Sequence, residues 1–245
     1  MGRLGAVVVL VALLAGCGGS AARANTGAPQ PTYRQLRLMR GDRPLLTTIW
    51  SPADDHRHPV VLFSHGLGGL PAQFAPIAAT WVAAGFAVVA PAYPHTNGKV
   101  KVDAHDVRNQ PADAEFVLRS LAEDPHLDLG HVTAVGFSAG GTTTLGLLHP
   151  GHLPGLRAAV SIAGRRPPAK FGGTPVPVLF LHGDQDPTVP IAAGRAAFAA
   201  LPWPAKTFVT IPGGRHGGYL NPGNPDYPRA QATILAFLRA PDAKV

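Results

Sequence analysis

The segment 136–140 reads Gly-Phe-Ser-Ala-Gly and matches the pattern G-x-S-x-G. It lies between an apolar run that favours a β-strand and a run that favours a helix. In that context the pattern predicts a sharp strand-to-helix turn that exposes the Ser138 hydroxyl, with small neighbours that let the backbone turn tightly. Ser138 is therefore a candidate nucleophile. The alternative is that its side chain only caps the following helix.

A serine hydroxyl needs a neighbouring base, and that base needs a carboxylate that fixes its tautomer and stabilises its charge. Among eleven histidines, only His216 lies in a glycine-rich turn after a predicted strand and downstream of an acidic loop. That loop, 182–190, contains Asp184 and Asp186. The order serine, acid, histidine therefore predicts a hydrolytic site, and spacing alone does not separate the two aspartates.

Alternating apolar and helical segments predict an α/β fold with a mostly parallel sheet of about eight strands, covered by helices on both faces. In such sheets ligands bind at the carboxyl ends of the strands, where Ser138, the acidic loop and His216 all lie. The first two strands are predicted as a hairpin. The predicted strands are 33–39, 45–50, 60–63, 86–90, 132–135, 158–163, 178–181 and 207–211, and the predicted helices are 71–84, 112–122, 139–148, 191–201 and 227–239.

Four segments in chain order resemble the α/β-hydrolase superfamily: SHGLGG at 64–69, GFSAGG at 136–141, HGDQDPTVP at 182–190 and GGRHGG at 213–218. The resemblance implies Asp186 as the acid beside His216. It also implies an oxyanion hole formed by the backbone N–H groups of Leu67 and Ala139, which would stabilise negative charge on a carbonyl oxygen. His65, in the first of these segments, is expected to be structural.

Only about a dozen residues separate the sixth and seventh predicted strands, too few for a helical lid. The sequence is similar to the lidless esterases that include platelet-activating-factor acetylhydrolase-like, chlorophyllase-like and dienelactone-hydrolase-like proteins. Dienelactone hydrolases proper use a cysteine nucleophile, whereas this chain has Ser138. The resemblance thus implies ester hydrolysis through an acyl-enzyme. The alternatives are a non-catalytic envelope-binding lipoprotein, a serine peptidase or a thioesterase.

The N-terminal residues 1–16 have the layout of an export signal, with Arg3 followed by an apolar run and small residues. The run falls short of the roughly 20 residues that a spanning helix requires. The sequence Leu-Ala-Gly before Cys17 resembles a bacterial lipobox, which implies lipid attachment at Cys17 and a protein anchored outside the cell membrane. Residues 17–31 are expected to form a flexible tether and 32–245 the catalytic domain. A plain signal peptide and secretion, or a transmembrane anchor, are the alternatives.

Composition narrows the remaining function classes. Cys17 is the single cysteine, so it can form no internal disulfide and the domain has no cysteine nucleophile. The formal charge of +7 is scattered rather than in a basic run, which argues against nucleic-acid binding and weakly favours anionic substrates. The pairs His56 with His58 and His149 with His152 lack the accompanying carboxylates of a metal site. No phosphate-binding or dinucleotide-binding motif is present, so no cofactor is expected.

Overall fold

The computed structural model describes residues 32–241 of the 245-residue chain. Eight strands and five α-helices alternate along it, as the sequence predicts. The strands are β1 Thr32–Arg40, β2 Arg43–Ser51, β3 His58–Ser64, β4 Ala87–Ala92, β5 Leu127–Phe137, β6 Leu156–Ile162, β7 Val178–Gly183 and β8 Lys206–Ile211. The helices are α1 Ala75–Ala83, α2 Gln110–Ser120, α3 Ala139–Gly146, α4 Ile191–Ala200 and α5 Tyr227–Arg239.

All eight strands form one sheet in the order β1-β2-β4-β3-β5-β6-β7-β8. Strand β2 is antiparallel to both neighbours, and every other neighbouring pair is parallel. The hairpin and the mostly parallel sheet are therefore confirmed. Since β3 to β8 point the same way, the loops that follow them meet at one edge of the sheet, which we call the carboxyl edge.

Helices cover both faces, because the central strands are apolar on both sides. One hydrophobic cluster joins the sheet to α2, α3 and α4 through residues such as Val117, Leu145 and Ala197. The other joins it to α1 and α5 through Trp81 and Ile234. Residues 163–177, between β6 and β7, contain no helix, which agrees with the predicted absence of a lid.

Several predicted bounds differ from the structure by one or two residues, and three elements show the main differences. The stretch predicted as one helix at 71–84 begins with a 3-10 turn, Pro71–Phe74, before α1. Helix α2 begins and ends two residues before its predicted bounds and follows an unpredicted 3-10 helix, Ala104–Asn109, which Asp103 caps by accepting a hydrogen bond from the His105 N–H. Strand β5 is longer than predicted because its first residues pair with β3 ahead of a register shift near Gly130.

A buried ion cluster holds the β1–β2 hairpin against α2. The guanidinium of Arg43 donates to both carboxylate oxygens of Asp106 and of Asp113, at 2.6–3.2 Å. Arg40 donates to Asp113 as well, at 2.7 Å. Hydrogen bonds to the two carboxylates raise the pKa of Arg43. Asp113 is fully buried, and these two arginines are its ion-pair partners.

Candidate active site

Ser138 lies at the turn between β5 and α3, in a strained backbone conformation with φ 57° and ψ −116°. Such a conformation costs a non-glycine residue about 1–3 kcal/mol and persists only where the surroundings hold it. Here the Ser138 N–H donates to the carbonyl of Ile162 at 2.8 Å. The Ser138 side chain makes no cap hydrogen bond to the helix. The capping alternative is therefore wrong, and the hydroxyl is free to face another group.

The glycines of the motif are required by close backbone contacts. A Cβ on Gly136 would lie 2.1 Å from the carbonyl oxygen of Gly140. A Cβ on Gly140 would lie 1.9 Å from the carbonyl oxygen of Ser64, at the end of β3. Real Cβ atoms do not approach that closely, so only glycine allows α3 to begin directly against β3 and β5.

His216 bridges the serine and a carboxylate. Its Nε2 lies 2.9 Å from the Ser138 Oγ, and its Nδ1 lies 2.7 Å from the Asp186 Oδ2. An ionised carboxylate only accepts hydrogen bonds, so Nδ1 carries the proton and Nε2 accepts from the serine hydroxyl. The ring of Phe137 packs on the imidazole, with centroids 4.9 Å apart. The structure thus brings together the three side chains that the sequence singles out.

Asp186 is buried and held on both oxygens. Oδ1 accepts the backbone N–H groups of Thr188 and Val189, each at 2.9 Å, and Oδ2 accepts from His216. Burial by itself would raise the pKa of Asp186, but the hydrogen bonds from His216, Val189 and Thr188 together lower it below the usual value. Asp186 is therefore ionised at neutral pH. His182 donates to the Val189 carbonyl at 2.8 Å and so stabilises this loop.

Asp184, the alternative acid, lies elsewhere in the loop. Its Oδ1 accepts the Gly213 N–H at 2.7 Å, at the start of the turn that carries His216. His216 is therefore paired with Asp186, whereas Asp184 holds the turn that carries His216 in place.

The loop after β3 places Leu67 beside the serine. Hydrogen bonds from Gly69 to Gly66 at 2.9 Å and from Gly68 to Thr96 at 2.8 Å fix this loop. Leu67 and Ala139 line the same cavity as Ser138. Within residues 32–241, neither of their N–H groups donates to a protein acceptor. Both positions suit the oxyanion donors that the resemblance implies.

His65, in the same loop, uses both ring nitrogens locally. Nδ1 donates to the Gly66 carbonyl at 2.7 Å, and Nε2 accepts the Tyr93 N–H at 3.2 Å. Burial lowers the pKa of His65, so the ring stays neutral. This geometry fits the structural role expected from the sequence.

A cavity of about 540 Å³ opens above Ser138 and His216. Most of its walls are apolar, and Arg165 contributes a cationic side chain. A larger depression of about 880 Å³ lies around Pro154 and Pro175, at the amino ends of β6 and β7. The candidate active site is therefore identified by the hydrogen-bonded serine and not by the size of the cavity. Sequence reasoning missed several lining residues, which come from distant segments: Ala104, Val107, Thr142, Arg165, Thr188 and Val189.

In the described ranges, no group of three or more histidine, cysteine, aspartate or glutamate side chains could hold a metal ion. His149 instead contacts the Glu115 carboxylate at 2.8 Å, and His152 contacts the Thr174 carbonyl at 2.9 Å. No helix between residues 32 and 241 is long and apolar enough to cross a membrane. The predicted signal, Cys17 and the tether lie outside the described residues.

The sheet order with β2 reversed and the serine at the β5–α3 turn define an α/β-hydrolase. Within that class the chain belongs to the dienelactone hydrolase family, whose profile matches residues 45–239.

Similar proteins agree with this family and fold. A protein of Nocardia uniformis subsp. tsuyamanensis named "Putative esterase NocK" is 34% identical over 164 residues, which cover 62% of this chain and 47% of that protein. The chain therefore spans about half the length of this curated relative.

Two solved structures share the fold. A puromycin-hydrolyzing peptidase of Mycobacterium tuberculosis aligns with a TM-score of 0.68 and 20% identity, covering 85% of this chain and 39% of the peptidase. Esterase 2 of Thermogutta terrifontis, phosphonylated by cyclosarin, aligns with a TM-score of 0.67 and 22% identity, covering 89% of this chain and 96% of the esterase.

Proposed function

We propose that this hydrolase cleaves carboxylic esters, with Ser138 as the nucleophile, His216 as its base and Asp186 as the acid that orients His216. The observation that carries the proposal is the position of His216, within hydrogen-bond reach of the Ser138 hydroxyl on one side and of the Asp186 carboxylate on the other. An apolar cavity directly above the serine offers room for the acyl or alcohol part of an ester.

In the first half of the reaction, the Ser138 Oγ attacks the ester carbonyl while His216 Nε2 takes the hydroxyl proton. Asp186 stabilises the imidazolium that forms. The negative charge on the carbonyl oxygen is stabilised by the N–H groups of Leu67 and Ala139, and losing one such donor costs about 2.7–4 kcal/mol of barrier. Collapse transfers the proton from His216 to the leaving alcohol and leaves an acyl group on Ser138.

In the second half, His216 Nε2 takes a proton from a water molecule, whose oxygen attacks the acyl carbonyl. The bond to Ser138 Oγ then breaks, His216 returns the proton to that oxygen, and the carboxylic acid is released. The open cleft gives water direct access, because no helix lies between β6 and β7 to cover it.

The test is hydrolysis of p-nitrophenyl acetate, butyrate and palmitate by the full chain and by its Ser138→Ala variant, together with labelling by a fluorophosphonate. We expect turnover and labelling in the wild type, and loss of both in a variant that melts at least as high. A well-folded wild type with neither signal would favour the non-catalytic binding protein. Cleavage of peptide or thioester substrates in preference to esters would favour those alternatives.

We further propose that residues 1–16 direct export and that Cys17 carries a lipid, on the strength of the lipobox-like sequence. Radiolabelled palmitate supplied to producing cells should label the wild type and leave Cys17→Ser unlabelled. An unlabelled wild type in the culture medium would instead indicate a secreted protein.

A further inference from the structure

Five exposed residues from two adjoining loops next to the cavity form what we call the cleft rim: Leu67, Lys99, Val100, Lys101 and Val102. Lys99 and Val100 line a separate neighbouring groove of about 240 Å³. Leu67 lines the cavity itself, and Ala104, two residues after Val102, also lines it. A methyl side chain on Gly68 would lie 4.0 Å from the Val102 Cγ2, so the two loops of the rim are in contact.

The cleft rim exposes apolar surface. In the described part of the chain, five large hydrophobic side chains are exposed, and three of them belong to the rim: Leu67 at 45%, Val100 at 45% and Val102 at 40%. Scattered single exposures are ordinary, but a cluster beside a binding cavity marks a surface that contacts something apolar.

The same segment is cationic. Lys99 and Lys101 alternate with the two valines and are exposed. Among residues 32–241, no carboxylate lies within 4.0 Å of either lysine amine. Of the nearby acids, Asp103 accepts the His105 N–H and Asp106 is paired with Arg43. Arg165, which lines the cavity, adds further positive charge beside the rim.

The backbone of the rim is held at both ends. The Gly98 N–H donates to the Gly69 carbonyl at 3.1 Å, and the Asp103 N–H donates to the His95 carbonyl at 2.6 Å. The Lys99 N–H donates to the Asn97 side chain at 2.9 Å. Because the loop is already ordered, presenting its side chains to a partner requires little further loss of conformational entropy.

We propose that the cleft rim docks on an anionic phospholipid surface. The valines and Leu67 enter the boundary between headgroups and acyl chains, and the lysines contact lipid phosphates. Binding to such a surface strengthens with the apolar area that is buried and with the attraction of cationic side chains to anionic lipids, and the rim supplies both. This occupant fits better than a nucleic acid, because the exposed rim has valines where base stacking would need aromatic rings. The proposal does not depend on ester hydrolysis.

The test uses the full chain with Cys17→Ser, which removes the only thiol and any lipid attachment. Val100→Cys in that background takes an environment-sensitive thiol fluorophore at the rim. Asp55→Cys takes the same fluorophore in the exposed β2–β3 connection, at the amino end of β3. Emission is recorded with vesicles of phosphatidylcholine alone and of phosphatidylcholine mixed with phosphatidylglycerol.

We expect a blue shift at position 100 with the phosphatidylglycerol vesicles, little shift with phosphatidylcholine, and none at position 55. The lipid concentration that gives half of the maximal shift should rise about 25-fold in the double variant Lys99→Gln with Lys101→Gln, which is about fivefold for each lysine. The matched control is Arg157→Gln with Lys170→Gln, which removes the same charge from exposed positions outside the rim and should leave this concentration near the wild-type value. Circular dichroism melts verify folding of every variant.

Three outcomes would overturn the proposal. The first is a blue shift at position 55 in place of position 100. The second is vesicle binding with no shift at position 100. The third is an equal shift at position 100 with soluble polyglutamate, which would identify the rim as a docking surface for an acidic protein.

Discussion

The Asp184 carboxylate accepts the backbone N–H of Gly213 at 2.7 Å and so ties the acidic loop to the turn that carries His216. Two residues further on, Asp186 contacts His216 itself. The two carboxylates of one loop therefore act on the same histidine in different ways, one through the backbone and one through the ring.

Substituting the two aspartates should separate these roles. Asp186→Asn removes the charge that fixes the histidine tautomer, and we expect kcat for p-nitrophenyl butyrate to fall about 10⁴-fold. Asp184→Ala should retain most of kcat and lower the free energy of unfolding by about 1 kcal/mol, because one exposed hydrogen bond is lost. Steady-state kinetics and urea unfolding measure both. The reverse ranking of kcat would make Asp184 the acid.

A methyl group at Gly140 should unfold the site. Its Cβ would lie 1.9 Å from the Ser64 carbonyl oxygen, so we expect Gly140→Ala to lose at least about 3 kcal/mol of unfolding free energy together with turnover. The control is Gly223→Ala, where a Cβ meets nothing within 4 Å. Its unfolding free energy should stay within about 0.5 kcal/mol of the wild type. Equal melting temperatures for the two variants would contradict this account.

Removing Arg43 should leave a buried charge poorly compensated. Asp113 is fully buried and would keep only Arg40, so Arg43→Ala should destabilise the fold by about 3–5 kcal/mol. The control is Arg119→Ala, which breaks a pair in which the arginine is 60% exposed and should cost less than about 1 kcal/mol. Chemical denaturation of both variants decides the matter, and a small loss in Arg43→Ala would show that Arg40 suffices.

The same cluster should give stability a pH dependence. Burial alone would raise the pKa of Asp106, but hydrogen bonds from Arg43 and Asn109 lower it below its value in the unfolded chain. The native state then binds fewer protons than the unfolded chain, so this stabilisation is present above about pH 4 and is lost as the pH falls through the lower native pKa.

Urea unfolding of the wild type and Asp106→Asn between about pH 3 and pH 7 measures this dependence. The difference in unfolding free energy should be largest near pH 7 and should shrink below about pH 4. Glu123→Gln, an exposed position, corrects for the change in net charge alone. A difference that grows on acidification would be the wrong sign and would exclude the cluster as its source.

The sequence predicts the eight strands because most of the sheet is buried on both faces, and continuous apolar runs such as 60–63 reveal such strands. The sequence does not predict the first half of β5, because Gly130 and its polar neighbours interrupt the apolar run that marks the strand. The 3-10 helix Ala104–Asn109 has no apolar period, and its one sequence signal is Asp103 two residues before His105.

For the site, the residue types and their chain order suffice to select Ser138 and His216. Spacing alone does not separate Asp184 from Asp186, and only the resemblance implies Asp186. Which of the two carboxylates reaches His216 depends on the three-dimensional course of the loop. Arg165 and Thr142 line the cavity because segments that are distant in sequence come into contact there. A single sequence does not predict such long-range contacts.

The positive φ of Ser138 has a consequence for how this chain came to keep a serine there. Glycine adopts such a conformation freely, so selection for thermodynamic stability alone would replace Ser138 with glycine and gain about 1–3 kcal/mol. A domain retained only as a scaffold would be under no pressure to resist that replacement. Under the proposed function, the serine is a trade-off in which stability of the fold is lost to keep a hydroxyl in front of His216.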